Sequence, residues 1–293
     1  MSARIIDGNQ VAASLRQEIK AQIQRLGQEG PQVPGLAVVL VGDNPASLSY
    51  VKGKRRACDE VGILSVEHRF PADLSEAQLL TVIGRLNQDP RIHGILVQLP
   101  LPPQIRESAI INAIDPDKDV DGLHPVNLGR LLRQEEGFLP CTPHGVQQLL
   151  ARSRIPVEGR HVVVVGRSAL VGRPLANILS QKRAGANATV TLCHTGTPAL
   201  GRFTRQAEVL VAVMGRPRAI TADMVQEGAA VIDVGVNRVE DASKKQGYRL
   251  VGDVDFEAAK EKAGAITPVP GGVGPMTIAM LLHNTLWAAA RRG

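Results

Sequence analysis

Short apolar runs alternate along the chain with longer segments in which apolar residues recur every three or four positions. The runs at residues 35–41, 94–99 and 161–165 are rich in Val, Leu and Ile, which predicts strands that are buried on both faces. The segment at residues 9–29 has helical spacing and is expected to stop at Gly30. This alternation predicts an α/β fold with open, mostly parallel sheets and right-handed crossovers.

The second half of the chain repeats the alternation. Strands are predicted at residues 188–193, 208–214 and 229–234, with helices between them, and a shorter strand is predicted at 266–269. Residues 100–142 are richer in Pro, Asp and Gly, which is typical of a boundary region. The 293 residues are enough for two domains, and the hydrophobic content of 44% is enough for two cores. We therefore predict two α/β domains.

The stretch at residues 161–174 has the pattern of a strand, a tight turn and a helix start. Four valines precede Gly166, and the helix is expected to begin near Gly172. Such a turn presents backbone N–H groups and a positive dipole end to an anion, usually a nucleotide phosphate. Arg167 and Ser168 stand where the second glycine of G-x-G-x-x-G belongs. The pattern favours a dinucleotide site, with a purely structural turn as the alternative.

The residues near this turn favour NADP over NAD. An NAD site usually offers Asp or Glu at the end of the second strand, to bind the ribose 2′-hydroxyl. The corresponding segment, residues 192–197, contains no carboxylate. Arg167 and Arg173 are nearby in sequence, and Thr195 can donate a hydrogen bond, which suits a 2′-phosphate.

Tyr50 and Lys54 are four residues apart on a predicted helix, so they share one face. A lysine that transfers protons near neutral pH needs a lowered pKa, from burial or from neighbouring cations. Lys52, Arg55 and Arg56 are candidates for such cations, and burial of Lys54 is the other possible cause. The alternative interpretation is a basic helix face in solvent.

Three further segments contain polar or backbone groups that suit a ligand. Gln98 ends an apolar strand, and ligands of open α/β sheets bind outside the carboxyl ends of the strands. Residues 115–122 have the spacing of a calcium loop, but Leu128 stands where such a loop needs Glu, so we expect no metal. A carboxylate there suits the amino groups of a ligand. Residues 268–275 combine prolines and glycines, which favours a loop that contacts a ligand.

Composition excludes other classes of protein. The net charge of +6 comes from basic residues scattered among acidic ones, and 2% of residues are aromatic, so we expect no nucleic acid partner. The chain has no apolar run long enough for a membrane span. The three cysteines form no C-x-x-C pair, so neither disulfides nor zinc are indicated and a cytoplasmic location is expected.

The chain resembles the bifunctional methylenetetrahydrofolate dehydrogenase/methenyltetrahydrofolate cyclohydrolase family over nearly its whole length. The stretches that carry the resemblance are Tyr50-Val-Lys-Gly-Lys54 and residues 95–101, 119–122, 140–143, 165–168 and 270–277. The resemblance implies NADP-dependent oxidation of 5,10-methylenetetrahydrofolate to the methenyl form, followed by hydrolysis to 10-formyltetrahydrofolate. The alternative is a monofunctional dehydrogenase of the same fold.

The resemblance also implies roles for individual residues. Lys54 is the implied acid/base group of the cyclohydrolase step, and Gln98 orients it and tunes its protonation. Tyr50 is expected to pack on the folate ring system, and Asp121 to bind the pterin amino groups. Further folate-binding residues are implied at Leu99, Pro270, Gly271 and Gly272. The implied NADP-binding residues are Gly166, Arg167, Ser168, Val171, Gly172, Arg173, His194, Thr195 and Val236.

The family fold implies a folate-binding catalytic domain at residues 1–138, completed by a C-terminal helix at 273–293. It implies a Rossmann-like NADP-binding domain at 139–272, with the folate cleft between the two domains. A homodimer built through the NADP-binding domain is implied as well. The basic balance of the chain suits a substrate with a polyglutamate tail.

Overall fold

The computed structural model describes residues 2–29, 33–244 and 247–291. Gly30, where the first helix was expected to stop, lies outside the described residues. Within the described ranges, none of the helices combines the length and the hydropathy that a membrane span requires.

The structure contains the following elements in chain order. The first half holds β1 (Arg4–Ile5), α1 (Gly8–Glu29), β2 (Gly35–Val41), α2 (Pro45–Val61), β3 (Leu64–Phe70), α3 (Glu76–Gln88), β4 (Gly94–Val97), α4 (Glu107–Ala113), α5 (Pro125–Arg133) and α6 (Cys141–Arg152). The second half holds β5 (His161–Val165), α7 (Gly172–Ser180), β6 (Thr189–Cys193), α8 (Gly201–Thr204), β7 (Val209–Ala212), a 3₁₀ helix (Ala222–Met224), β8 (Ala230–Asp233), β9 (Asn237–Glu240), β10 (Tyr248–Val251), α9 (Phe256–Ala259), β11 (Ala265–Ile266) and α10 (Val273–Ala290).

The chain folds into two compact units. The six-stranded unit consists of residues 1–12 and 142–277, and the three-stranded unit consists of residues 13–141 and 278–293. This division differs from the predicted one at the N-terminus, because the first twelve residues belong to the six-stranded unit. The physical reason is that β1 forms a parallel ladder with β11. A strand of two residues is too short to give a periodic signal in the sequence.

In the three-stranded unit, all strands are parallel and their order is β3-β2-β4. Every residue of β2 is buried, as its continuous apolar run predicted. Helix α3 begins with a capping box, in which Ser75 and Gln78 exchange hydrogen bonds with each other's backbone N–H groups. Its buried residues are Leu79, Ile83 and Leu86, at helical spacing. Residues 100–142, predicted to be a boundary region, contain α4 and α5 of this unit.

In the six-stranded unit, the order is β1-β11-β8-β7-β5-β6, and all neighbouring strands are parallel. The four valines of β5 are fully buried, as predicted, and β5 lies between β6 and β7. The chain therefore leaves β5 for one side of the sheet and later returns to the other side. In doubly wound sheets, ligands bind at the carboxyl ends of strands at such a switch point.

Some predicted features of the six-stranded unit are wrong. The connections between β6, β7 and β8 hold only the four residues of α8 and a 3₁₀ helix instead of full helices. The antiparallel hairpin of β9 and β10 was not predicted. Its strands have four residues each and none of these residues is buried, so their sequence does not distinguish them from a polar loop.

The backbone at the start of α1 lies close to the loop at Gly272. A Cβ atom added to Gly8 would lie 1.7 Å from the carbonyl oxygen of Gly272 in the same unit. We expect Gly8→Ala to lower the free energy of unfolding by about 1–3 kcal/mol, the usual cost of overpacking. The matched control is Gly27→Ala on the same helix, where no other described atom lies within 4 Å of the added Cβ.

The control is expected to raise stability by up to about 1 kcal/mol, because alanine favours a helix over glycine. The measurement is the midpoint of thermal unfolding of both variants. Equal midpoints for the two variants would contradict the contact between α1 and the loop at Gly272.

Candidate functional site

Lys54 lies on the buried face of α2. Lys54 is only 5% exposed, although lysine is rarely buried. The buried residues three or four positions away on the same helical face are Val51, Ala57 and Cys58. The interpretation of this segment as a basic face in solvent is therefore wrong for Lys54.

Burial lowers the pKa of Lys54, because the ammonium group loses its hydration, while the charge of Asp121 acts in the opposite direction. Of the two causes considered from the sequence, burial is the one that lowers this pKa, and the neighbouring cations Lys52, Arg55 and Arg56 are not. These three side chains are exposed, so water and salt screen their charges. The neutral amine of Lys54 is consequently present at lower pH than in an ordinary lysine.

Gln98 holds the amine of Lys54 from the carboxyl end of β4. The Nζ of Lys54 donates to Oε1 of Gln98 at 2.9 Å. The Nε2 of Gln98 donates to the carbonyl oxygen of Leu99 at 2.8 Å, which fixes the orientation of the amide. The backbone N–H of Gln98 donates to Val39 of β2 at 2.9 Å. The sheet thus positions the acceptor that Lys54 uses.

Tyr50 lies one helical turn before Lys54 on α2. The Nζ of Lys54 is 5.2 Å from the centroid of the Tyr50 ring, within the range of a cation–π contact. Tyr50 is nevertheless 38% exposed, so part of its ring remains accessible to a planar ligand.

Asp121 and Cys141 complete the surroundings of Lys54. Burial raises the pKa of Asp121, and the charge of Lys54 and the nearby thiol of Cys141 partly offset this effect. Burial also raises the pKa of the Cys141 thiol well above its ordinary value, so the thiol stays protonated and unreactive. Cys141 was not predicted as a site residue. The sequence signal that could have found it was its place in the motif at residues 140–143.

The rest of the acidic loop has a structural role. Asp119 accepts hydrogen bonds from the backbone N–H groups of Leu123 and His124 and from Asn127. Lys118 is 1% exposed, and its Nζ donates to carbonyl oxygens at the end of α3. These contacts hold the loop that presents Asp121. In the part of the chain that the structure describes, no group of three or more His, Cys, Asp or Glu residues is arranged to hold a metal ion.

The turn after β5 requires its two glycines. A Cβ atom on Gly166 would lie 2.1 Å from the carbonyl oxygen of Val213, and one on Gly172 would lie 1.9 Å from that of Gly166. The end of β5 therefore packs closely on the segment after β7, and the start of α7 packs closely on the turn, so both positions need glycine. The turn lies at the carboxyl end of β5, where ligands of doubly wound sheets bind.

The prediction that the start of α7 presents free N–H groups is wrong in part. The N–H groups of Val171 and Gly172 point to Oγ of Ser168 at 3.2 and 3.4 Å. The N–H of Arg173 donates to the carbonyl oxygen of Ser168 at 3.1 Å, and Pro174 has no N–H. Ser168 thus already engages the N–H groups of Val171, Gly172 and Arg173, so an anion at this turn is expected to rely more on the loop before the helix and on side chains.

Cationic side chains surround the adjacent carboxyl ends of β5 and β6. Nη1 of Arg167 lies 3.4 Å from Nε2 of His194, and Nδ1 of His194 accepts the N–H of Gly196 at 3.1 Å. Arg173 and Thr195 are exposed. This set lacks a carboxylate and offers donors, which fits the 2′-phosphate of NADP.

Val236 follows β8 and is 60% exposed, which leaves an apolar group at the carboxyl edge of the sheet. Two buried carboxylates hold the backbone around it. Asp233 accepts the N–H of Gly235 at 2.9 Å, and Asp253 accepts the side-chain amide of Asn237 at 2.9 Å. Burial raises the pKa of Asp233 to about 7. Neither carboxylate was predicted as a site residue. The available signal was the position of Asp233 at the end of the apolar strand β8.

The loop at Pro270 lies in the six-stranded unit. Gly271 has a φ of 104°, and a Cβ on Gly272 would lie 2.6 Å from the carbonyl oxygen of Pro268. The N–H of Asn9, at the start of α1, donates to the carbonyl oxygen of Gly271 at 3.2 Å. The glycines are therefore needed for this packing, whether or not the loop also contacts a ligand.

Two family models match the chain, and together they cover most of it. The NAD(P)-binding domain of tetrahydrofolate dehydrogenase/cyclohydrolase matches residues 140–293, and the catalytic domain of the same family matches residues 6–121. The chain belongs to this family.

Relatives agree with this assignment over the full length. Bifunctional protein FolD of Dehalococcoides mccartyi strain CBDB1 is 61% identical over 99% of this chain and 98% of its own length. The crystal structure of the bifunctional FolD of Campylobacter jejuni is 46% identical, has a TM-score of 0.93 and is covered completely, as is this chain. The Trypanosoma brucei enzyme, solved with NADP cofactor and an inhibitor, has a TM-score of 0.94 at 40% identity, over 100% of this chain and 99% of its own.

These matches confirm three predictions from the sequence: the α/β fold, the family, and a bifunctional dehydrogenase/cyclohydrolase with a dinucleotide-binding domain.

The Lys54–Gln98 contact predicts a measurable change in protonation. Gln98→Glu would place a carboxylate at the acceptor position, 2.9 Å from Nζ. An adjacent negative charge stabilises the ammonium, so the pKa of Lys54 is expected to rise. NMR titration of the chain with isotopically labelled lysine measures this shift. Gln24→Glu, at an exposed position of α1, should leave the titration of Lys54 unchanged. An unshifted Lys54 in the Gln98→Glu variant would contradict the contact.

Proposed function

We propose that Lys54 is the acid/base group of the cyclohydrolase reaction and that Gln98 orients it. The folate ring system packs on Tyr50, and Asp121 binds its amino groups. In this proposal the three-stranded unit is the folate-binding catalytic part of the enzyme, and the six-stranded unit binds NADP. The observation that supports it most is the buried amine of Lys54 held at 2.9 Å by an amide of fixed orientation.

The enzyme oxidises 5,10-methylenetetrahydrofolate to the 5,10-methenyl cation and then hydrolyses this cation to 10-formyltetrahydrofolate. NADP, when bound, accepts the hydride that leaves the methylene carbon. Hydride transfer depends mainly on the positions of the two reactants. Water then adds to the methenyl carbon, one C–N bond of the ring breaks, and one proton is released.

The lowered pKa of Lys54 suits the hydrolytic step. A cationic substrate is a poor neighbour for an ammonium group, and burial favours the neutral amine. The neutral amine can take the proton of the attacking water and return it to the leaving nitrogen. Gln98 accepts a hydrogen bond from Nζ of Lys54, so the lone pair of the Lys54 nitrogen points away from Gln98.

Asp121 and Tyr50 supply recognition. A carboxylate accepts hydrogen bonds from neighbouring amino groups of a pterin, and such charge-assisted bonds are strong. The exposed part of the Tyr50 ring offers a flat apolar contact. Leu99 and the backbone of Pro270, Gly271 and Gly272 are proposed as further folate contacts.

The residues proposed to hold NADP form three groups. The glycines Gly166 and Gly172 are proposed to shape the turn so that its backbone approaches the phosphates. The donors proposed for the phosphates and the 2′-phosphate are Arg167, Ser168, Arg173, His194 and Thr195. The apolar contacts are Val171 and Val236.

The alternative is a monofunctional dehydrogenase of the same fold. In such an enzyme the surroundings of Lys54 would no longer support hydrolysis. The buried lysine and the fixed amide of Gln98 favour the bifunctional enzyme instead.

Three further properties follow from family membership and belong to this proposal. The enzyme is a homodimer formed through the six-stranded unit, which light scattering in solution would test. Its folate substrates carry polyglutamate tails, which the excess of basic residues attracts. It acts in the cytoplasm, where its three buried cysteines stay reduced.

Lys54→Met separates the two reactions. Loss of the acid/base group is expected to lower the cyclohydrolase rate by about 100-fold or more, the usual contribution of such a group. The dehydrogenase reaction should retain measurable activity, because it needs no proton transfer by Lys54. Reduction of NADP and absorbance of the methenyl product, followed separately, measure both rates. Lys52→Met, an exposed lysine on the same helix, is the control and should change neither.

The outcome that would contradict this role is an equal loss of both activities in Lys54→Met. Accumulation of the methenyl product by the unmodified enzyme would instead support the monofunctional alternative.

A further inference from the structure

Asn284 is a buried polar residue of α10 that lies near Asp121 in the three-stranded unit. The residue is 4% exposed. Its Nδ2 donates to the carbonyl oxygen of Val120 at 2.9 Å and to that of Leu139 at 3.1 Å, and lies 3.7 Å from Sγ of Cys141. One amide group therefore joins two separate backbone segments.

Cys141 joins the same two segments. Its thiol donates to the carbonyl oxygen of Val120 at 3.2 Å, and its backbone N–H donates to that of Asp121 at 3.2 Å. The backbone on both sides of the Asp121 side chain is thus tied to residues 139–141. Asn284 and Cys141 form one hydrogen-bonded cluster under the carboxylate.

The two segments also meet without side chains between them. Gly122 has a φ of 73°, and a Cβ atom there would lie 2.5 Å from the carbonyl carbon of Leu139. Such close approach leaves backbone carbonyl groups buried, and each needs a donor. Asn284 supplies donors to both carbonyl groups at this point.

A separate contact fixes α10 against the same segment. The rings of Phe138 and Trp287 pack edge to face, with centroids 4.7 Å apart. Since this contact is independent of Asn284, loss of the amide should not release the helix. The effect of the amide is expected to be local to the backbone of Asp121.

We propose that Asn284 is a positioning residue for folate binding: its amide holds the backbone of Asp121 so that the carboxylate meets the amino groups of the pterin. The inference rests on the proposed role of Asp121. Asn284 does not touch the substrate and acts through Asp121 alone.

The experiment compares steady-state kinetics of Asn284→Ala, Asn284→Ser, Asp121→Asn and the Asn284→Ala/Asp121→Asn double variant. Asn284→Ala is expected to raise the KM for methylenetetrahydrofolate about tenfold, which corresponds to about 1.4 kcal/mol, and to leave the KM for NADP unchanged. Asn284→Ser should recover part of the loss, because its hydroxyl group offers one donor. In the Asp121→Asn background, Asn284→Ala should have no further effect.

Thr285→Val is the matched control for damage to the buried face of α10. Thr285 is fully buried, and its hydroxyl donates only within the helix, to Leu281 at 2.8 Å. This variant should leave both KM values unchanged. The midpoint of thermal unfolding shows whether each variant is folded. If Asn284→Ala is unfolded, Asn284→Ser replaces it in the comparison.

The outcomes separate the inference from the proposed function. Suppose that Asp121→Asn raises the folate KM. If Asn284→Ala then raises it further by its full amount in the double variant, or if Asn284→Ala alone has no effect on the folate KM, the inference is overturned while the role of Asp121 stands. If Asp121→Asn leaves the folate KM unchanged, both are overturned. Equal increases in the KM for folate and for NADP would indicate a merely structural role and would also overturn the inference.

Discussion

The desolvation of one lysine amine is the constraint on which the candidate site depends. An ammonium group loses hydration when it is buried, so the fold must either supply a partner charge or accept a lowered pKa. At Lys54 the structure does both to a limited extent: burial lowers the pKa, and Asp121 partly restores it. Gln98 adds a neutral acceptor, which holds the nitrogen without the strong stabilisation of the ammonium that a carboxylate would give. The amide is therefore suited to a group that must gain and lose a proton.

Both units place their candidate residues by the same topological rule. In the three-stranded unit the chain leaves β2 for β3 on one side and reaches β4 on the other, and Gln98 follows β4. In the six-stranded unit β6 and β7 flank β5 in the same way, and the glycine turn follows β5. Neighbouring strand ends diverge at such points, so polar groups there can face a ligand instead of the core. Two short apolar runs in the sequence thus determine where the chemistry lies.

Continuous apolar runs made the buried strands predictable, and motifs indicated the candidate site residues. The sequence did not decide between burial and neighbouring cations as the cause of the pKa shift at Lys54, because sequence neighbours on a helix point to different sides and only the fold shows which side is buried. The hairpin of β9 and β10 and the first strand were missed since short strands carry little periodicity. Asp233 and Asp253 were missed for another reason. Most of their partners are backbone N–H groups, which leave no trace in a sequence, so an Asp at the end of an apolar strand gave no sign of what it binds.

Asp121 differs from the fully buried carboxylates of the structure in what it binds, and this difference supports its proposed role. Asp119, Asp233 and Asp253 each accept several hydrogen bonds from backbone N–H groups or side-chain amides, so each holds loops together. By contrast, Asp121 is half-buried, and among the described residues no backbone N–H group donates to its carboxylate, which interacts with the charge of Lys54. Each carboxylate oxygen accepts hydrogen bonds, and those of Asp121 are not committed to holding loops together. Asp121 is therefore the carboxylate of this group that is best suited to accept hydrogen bonds from the amino groups of a ligand.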